Sequence, residues 1–317
     1  MKLQLLLIFA SLFPRPAAPA NLPARQLLAE GRADDAVRLL QQQVSLHPAD
    51  AESFNLLCRA YFMADAWDPA LEACQRAVSL APQNSMYQLW LGRVYGEKAD
   101  HSSIFSAPGL AKQARTAFER AVQLDPGNWE ARADLGEFYA EAPGIIGGGK
   151  DKARAQAEAL MPINPAMAHW VLARVAEKDK QPDVAEREYR AEIAASHSGA
   201  RAWLDLAGFL RHEKRYDEMK EALHTLSSSL LDRPEALLHA AQQLFRSDLD
   251  LPFAVGLLER YLKAPVEDGP AFKAHDLLGQ IYEKQGDKRA AAEQFRAALA
   301  LAHSYTRAQE NLKGVER

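Results

Sequence analysis

Leu278-Gly279-Gln280-Ile281-Tyr282 is followed at fixed offsets by Gly286, Ala291, Phe295 and Ala298. The spacing reads as two antiparallel helices joined by a turn. Small residues at Gly279 and Ala291 let the helices approach closely, while Leu278 and Tyr282, one helical turn apart, fill the space beside that contact. The same places recur along the chain. The Leu278 place holds Leu57, Leu91, Leu135, Leu172 and Leu206, and the Gly279 place holds Ala24, Cys58, Gly92, Gly136, Ala173 and Ala207. The Tyr282 place holds Leu27, Tyr61, Tyr95, Tyr139, Leu210 and Phe245, and the Ala291 place holds Ala36, Ala70, Ala114, Ala153, Ala185 and Ala254. One alanine carries little weight in so alanine-rich a chain; the coincidence of four residue types at constant offsets decides the fold. Prolines mark the unit ends at Pro48, Pro82, Pro126 and Pro165, at intervals of 34, 44 and 39 residues. Each ends one helical pair and starts the next.

The pattern resembles the tetratricopeptide repeat (TPR). The resemblance implies an all-α, right-handed superhelical solenoid of antiparallel helix pairs, with about eight hairpins over residues 21–303 and a capping helix over 304–317. No unit of such an array buries its apolar face alone; neighbours supply the core, and terminal units need a polar cover. Two units depart from the pattern. The unit at 200–233 carries Met219 in the alanine place and lacks the terminal proline, and that at 235–268 carries Gln242 in the small place. Both are expected to pack less regularly.

The N-terminus is a separate object. Lys2, an apolar run over residues 3–13 and Ala18-Pro19-Ala20 form a secretory leader with an A-x-A cleavage site, which assigns residues 1–20 to a signal peptide and the mature chain to the periplasm or the exterior. The run is far shorter than the about 20 residues a membrane span requires, and no Cys stands near its end. The chain of 317 residues has 48% apolar and 25% charged residues and a formal charge of −4, which becomes −6 once Lys2 and Arg15 leave with the leader. Without a basic excess there is no case for nucleic acid or an anionic membrane surface as partner. The two cysteines, Cys58 and Cys74, fall at core places of one unit. An exported protein can join them, but the register sets them about a turn out of opposition and favours two small buried apolar residues.

Two neighbouring units contain expanded turns between their helices, at 96–109 and 142–151. Both contain Ala-Pro-Gly followed by an apolar residue, at 107–110 and 142–145. Residues 144–150 fit G-x-x-x-x-G-K, a phosphate-loop pattern, and a nucleotide-binding or enzymatic protein using that loop is the alternative reading. The context opposes it. The preceding element is helical, the chain offers no strand, and Asp151 stands where a Ser or Thr would hold magnesium. The glycines read instead as a flexible turn, with Asp151 as N-cap of the following helix. No H-E-x-x-H, zinc set or G-x-S-x-G elbow is present. Neither catalysis nor a cofactor or metal is expected.

What remains is a surface for a protein or peptide. Ile104, Phe105, Ile145 and Ile146 are apolar residues in turns, where polar ones are usual, and stacking brings the two turns onto one rim. They form a partner-binding rim or pack upon one another. In the family the concave face is lined by the first helix of each unit, which places Arg59, Arg93 and Arg174 there, with Phe62, Trp90 and Trp170 beside them. Arginines so placed bind an acidic or C-terminal segment, or pair internally with Glu97, Glu137 and Glu177. The lysine and asparagine set with which some family members clamp a terminal carboxylate is represented only by Asn55. The expectation is an exported scaffold for protein–protein contacts, with a role in assembling an envelope complex. The sequence leaves its oligomeric state open.

Overall fold

The computed structural model describes residues 21–231, 233–264 and 269–317. The leader expected at 1–20 lies outside the described residues. The rest is helical: among the described residues there is no strand, only a single bridge between Gly199 and Leu230. The helices form eight pairs. The first four are α1 (Leu22–Ala29) with α2 (Ala33–Leu46), α3 (Ala51–Met63) with α4 (Trp67–Leu80), α5 (Ser85–Asp100) with α6 (Ala107–Leu124), and α7 (Trp129–Glu141) with α8 (Lys150–Leu160). The next four are α9 (Pro165–Lys178) with α10 (Pro182–Ala195), α11 (Ala200–His212) with α12 (Tyr216–Ser228), α13 (Glu235–Arg246) with α14 (Leu251–Tyr261), and α15 (Ala271–Lys284) with α16 (Lys288–Leu301). A last helix, α17 (Thr306–Val315), packs on α16 and α15.

Local chemistry starts the first helix of the second to fifth pairs. Asp50, Asn84, Asn128 and Asn164 are N-caps whose side chains accept hydrogen bonds from backbone N–H groups of the first turn. Pro48, Pro82 and Pro126 lie two residues before these caps, whereas Pro165 is itself the first residue of its helix, a position that needs no N–H donor.

Packing within a pair depends on its small residues. Ala36, Ala70, Ala114, Ala153, Ala185, Ala254 and Ala291 are all fully buried. Met219 in the same place is equally buried, so the sixth pair closes despite the departure. A side chain at Gly92 would come within 2.5 Å of the Phe118 ring, and one at Gly279 would overlap Phe295. The small place therefore faces the large residue four positions beyond the alanine. In the second pair these two places hold Cys58 and Cys74, which form a disulfide with Cα atoms 5.1 Å apart. This corrects the sequence expectation of two separate thiols. Cys58 was set against the alanine place, but the helices cross so that it meets the residue one turn further along α4.

The expanded turns differ from each other. Much of 96–109 is helix, since α5 continues to Asp100 and α6 begins at Ala107, leaving a turn of 101–106. The second turn keeps its irregular backbone and includes a short 3-10 segment, Gly144–Ile146, that packs on α6.

The array also closes on itself. Asp34 of the first pair accepts hydrogen bonds from Ser304 N (3.3 Å) and Ser304 Oγ (2.8 Å). Lys273 Nζ of the last pair donates to Asp65 Oδ1 at 2.7 Å. Gly31, at φ +68°, sits where a Cβ would lie 2.7 Å from that of Ala271. One apolar cluster includes Leu28, Leu40 and Cys58 from the start of the chain with Phe272, Ala298 and Ala302 from its end. The first pair thus shares with α17 the work of covering the last.

Candidate functional site

A groove of about 830 Å³ is formed by α5, α6, α7 and α9 together with the second expanded turn. Helix periodicity sends every third or fourth side chain of α5 and α7 toward this face. Its apolar surface comes from Phe62, Trp90, Phe118, Phe138 and Ile146. Phe62 meets Trp67 and Trp90 edge to face, with ring centroids 5.3 and 5.5 Å apart.

Of the candidate residues, Phe62, Arg93, Arg174 and Ile146 line this groove. Arg59 joins it through Trp90, whose ring centroid lies 5.1 Å from the guanidinium carbons of both Arg59 and Arg93. Ile104, Phe105 and Ile145 do not line it. They project into solvent, 81%, 91% and 87% exposed, and neither pack on each other nor tuck onto the helices. The rim therefore divides into one residue that belongs to the groove wall and three that stand free of it.

The arginines are engaged within the chain. Arg93 donates from Nε to Asp134 (2.6 Å) and from Nη2 to Glu130 (2.8 Å). Arg174 donates from Nη1 to Glu177 and from Nη2 to Glu141, both at 2.7 Å. Burial disfavours the Arg93 cation, but Asp134 and Glu130 outweigh it and hold its pKa above the ordinary arginine value. Of the partners expected from the sequence only Glu177 pairs with one of these arginines. Asp134 and Glu130 were not anticipated. Their signal was available in the chain, as acids on the first helix of the next unit, one turn apart.

Glu137 behaves differently. It lines both the large groove and a smaller hollow of about 310 Å³ lined by Arg211, His212 and His239. Burial pushes its carboxyl up to about 7; Arg174 opposes the shift, and Asp134 and Glu141 add to it. Burial likewise raises Glu97, with Asp100 contributing.

The glycine-rich turn is held as architecture. Gly147 adopts φ +97°, and a Cβ there would overlap the Arg115 guanidinium, which donates from Nη1 to Ile146 O at 3.1 Å. A Cβ at Gly148 would overlap Ala142 O. Gly149 N donates to Tyr139 O at 2.9 Å. Lys150 is ion-paired with Asp179 of the following pair. The N-cap of α8 is Gly149, not Asp151 as the sequence suggested, and the Asp151 side chain is exposed and paired with Arg154 at 2.9 Å. The turn lies between two helices, and its lysine reaches into the next repeat rather than over the loop. Among the described residues no group of three His, Cys, Asp or Glu is arranged to hold a metal, and no helix is long and apolar enough to cross a membrane.

Tetratricopeptide repeat models match residues 27–93, 171–218 and 272–305. The chain belongs to the tetratricopeptide repeat family. This TPR chain is 30% identical over 130 residues to the type IV pilus assembly protein PilF of Pseudomonas aeruginosa, covering 39% of its own length and 50% of PilF. It therefore spans about half the length of that curated relative. Its fold resembles a TPR protein of Thermus thermophilus (TM-score 0.50, 21% identity, 59% of this chain and 95% of the other) and yeast Tom70 (TM-score 0.56, 16% identity, 95% and 65%). At these identities the likeness concerns the fold alone.

Proposed function

We propose that this TPR protein is an exported, non-catalytic scaffold that holds a protein or peptide partner in its concave groove, with the expanded-turn rim as a second contact, during assembly of an envelope complex. The observation that supports this most is the groove. Arg59, Phe62, Trp90, Arg93 and Arg174 come together beside Ile146, so the concave wall and one expanded turn form a continuous surface. Repeat arrays bind through such extended curved faces. The free apolar tips Ile104, Phe105 and Ile145 add area at the rim, where a large exposed apolar patch marks a contact site. The leader supports export, and the likeness to a pilus assembly protein supports envelope assembly as the setting.

The test is a photo-crosslinking amino acid placed in living cells at Trp90, at Phe105 and at exposed Glu72 on α4. Crosslinked partner at the first two positions and none at Glu72 is the expected result. Equal crosslinking at all three, or at Glu72 alone, rejects the groove and rim. Fractionation with N-terminal sequencing checks export, with Asn21 expected as the first mature residue.

A further inference from the structure

We propose that the groove takes a basic, apolar segment of its partner, in which Lys or Arg side chains alternate with large aliphatic or aromatic ones, and that it rejects an acidic or C-terminal tail. The proposal rests on the groove being the partner site, as argued above. Charge complementarity carries it. The groove wall presents five carboxylates and two guanidiniums, with a third guanidinium, that of Arg59, held against Trp90 at its edge. Both wall guanidiniums are already bound inside the chain, Arg93 by Asp134 and Glu130, and Arg174 by Glu177 and Glu141. Glu97, Asp100 and Glu137 remain, and among the described residues none of their carboxyl groups has a hydrogen bond or ion pair. A partner carboxylate entering here would find no unspent cation and an excess of negative charge. A partner cation would find three acceptors.

The apolar half of the preference follows from the same wall. Phe62, Phe138 and Ile146 offer surface that a hydrophobic side chain can cover. Trp90 already carries Arg59 and Arg93 against its ring, so the partner's cations are directed to the carboxylates rather than to that face. Glu137 is the centre of the preference. Asp134 and Glu141 on its own helix, Arg174 on α9 and Arg201 on α11 are the charged groups facing it, and with burial they leave its ionised form under-compensated. An incoming ammonium or guanidinium supplies the missing charge.

The experiment follows fluorescence anisotropy of a short fluorescein-labelled peptide in which Lys alternates with Leu and Phe. It is titrated with the full mature chain at near-neutral pH and moderate salt, alongside the same peptide with Glu for Lys. The Lys peptide should bind saturably and the Glu peptide should not. Glu137→Gln and, separately, Glu97→Gln should each weaken the Lys peptide about tenfold, a loss of the size expected for a buried charge pair. Circular dichroism confirms that both variants are folded. If the Glu peptide binds as well or better and loses binding in Phe62→Ala, the preference for cations is wrong while the groove remains the site. If the Lys peptide binds but ignores both carboxamide variants, the proposal fails in the same way. If neither peptide binds, or no groove variant changes binding, both the preference and the groove reading fall.

Discussion

Cys58 is bonded to Cys74 in the two places that elsewhere hold a small residue and the ring that presses upon it, Gly92 with Phe118 and Gly279 with Phe295. One contact of the fold is thus met by shape in two pairs and by a covalent bond in a third. The bond lies in the second pair, next to the junction where the chain's start meets its end.

Replacing both cysteines by Ala should therefore cost stability without loss of helix. The disulfide closes a short segment, its cysteines 16 residues apart, and a crosslink of that span contributes about 3 kcal/mol through the unfolded chain. Chemical denaturation monitored by circular dichroism checks this. Because repeat arrays can unfold in parts, hydrogen exchange should show the added opening concentrated in α3 and α4.

Gly147→Ala and Lys150→Ala separate architecture from phosphate chemistry in the glycine-rich turn. The first puts a Cβ at φ +97° against Arg115, which should destabilise the chain by about 1–3 kcal/mol. The second removes a solvent-exposed pair with Asp179 and should leave stability nearly unchanged. Thermal melts with and without ATP and magnesium should show no saturable stabilisation in either variant or in the parent. A clear shift in the parent lost on Lys150→Ala would restore the nucleotide reading.

Glu137 makes stability depend on pH. Its folded value of about 7 lies above the ordinary 4.5, so between those values the folded chain holds more protons than the unfolded one. Stability from this group is greatest at the acid end of that window, falls as pH rises through it and is level above. Glu137→Gln should raise stability relative to the parent by about 1–3 kcal/mol at pH 8 and by little at pH 4.5. Paired denaturation curves at the two pH values decide it, and an equal effect at both would contradict the shift.

Phe105→Ala and Ile146→Ala should part company. Phe105 is 91% exposed, and its truncation should change stability by less than about 0.5 kcal/mol. Ile146 is half-buried in the groove wall beside α6, and its truncation should cost about 1–2 kcal/mol. Similar losses from both would mean that Phe105 packs against the helices.

The closure between the chain's ends is accessible to charge reversal. Lys273→Glu places a carboxylate against Asp65 and should raise the radius of gyration in solution scattering, while Asp65→Lys added to it should restore the parent value. An unchanged radius in the single variant would show that the apolar contacts of Leu28 and Phe272 hold the ends together unaided.

The repeat was legible because packing repeats it: Leu57, Cys58, Tyr61 and Ala70 are informative only through their counterparts at the same offsets. The disulfide was missed because a linear register does not include the crossing of the helices, which shifts Cys58 one turn along α4. Arg93 and Arg174 line the groove, but their charge was read one helix at a time. Asp134 and Glu130 lie 41 and 37 residues from Arg93, and only stacking reveals that they occupy it. The contact of Asp34 with Ser304 spans 270 residues and leaves no periodic trace. In the glycine-rich turn the helical context and Asp151 already opposed the phosphate-loop motif; what the sequence did not reveal is that Gly147 and Gly148 are small because Arg115 and Ala142 crowd them.

The meeting of the first pair with the last also bears on how such a chain can change over generations. An open array gains or loses a unit by duplication or deletion and remains an array. Here one unit more or fewer would separate Asp65 from Lys273 and Leu28 from Phe272. The number of repeats, ordinarily the most variable property of this architecture, becomes in this chain as constrained as the residues of its core.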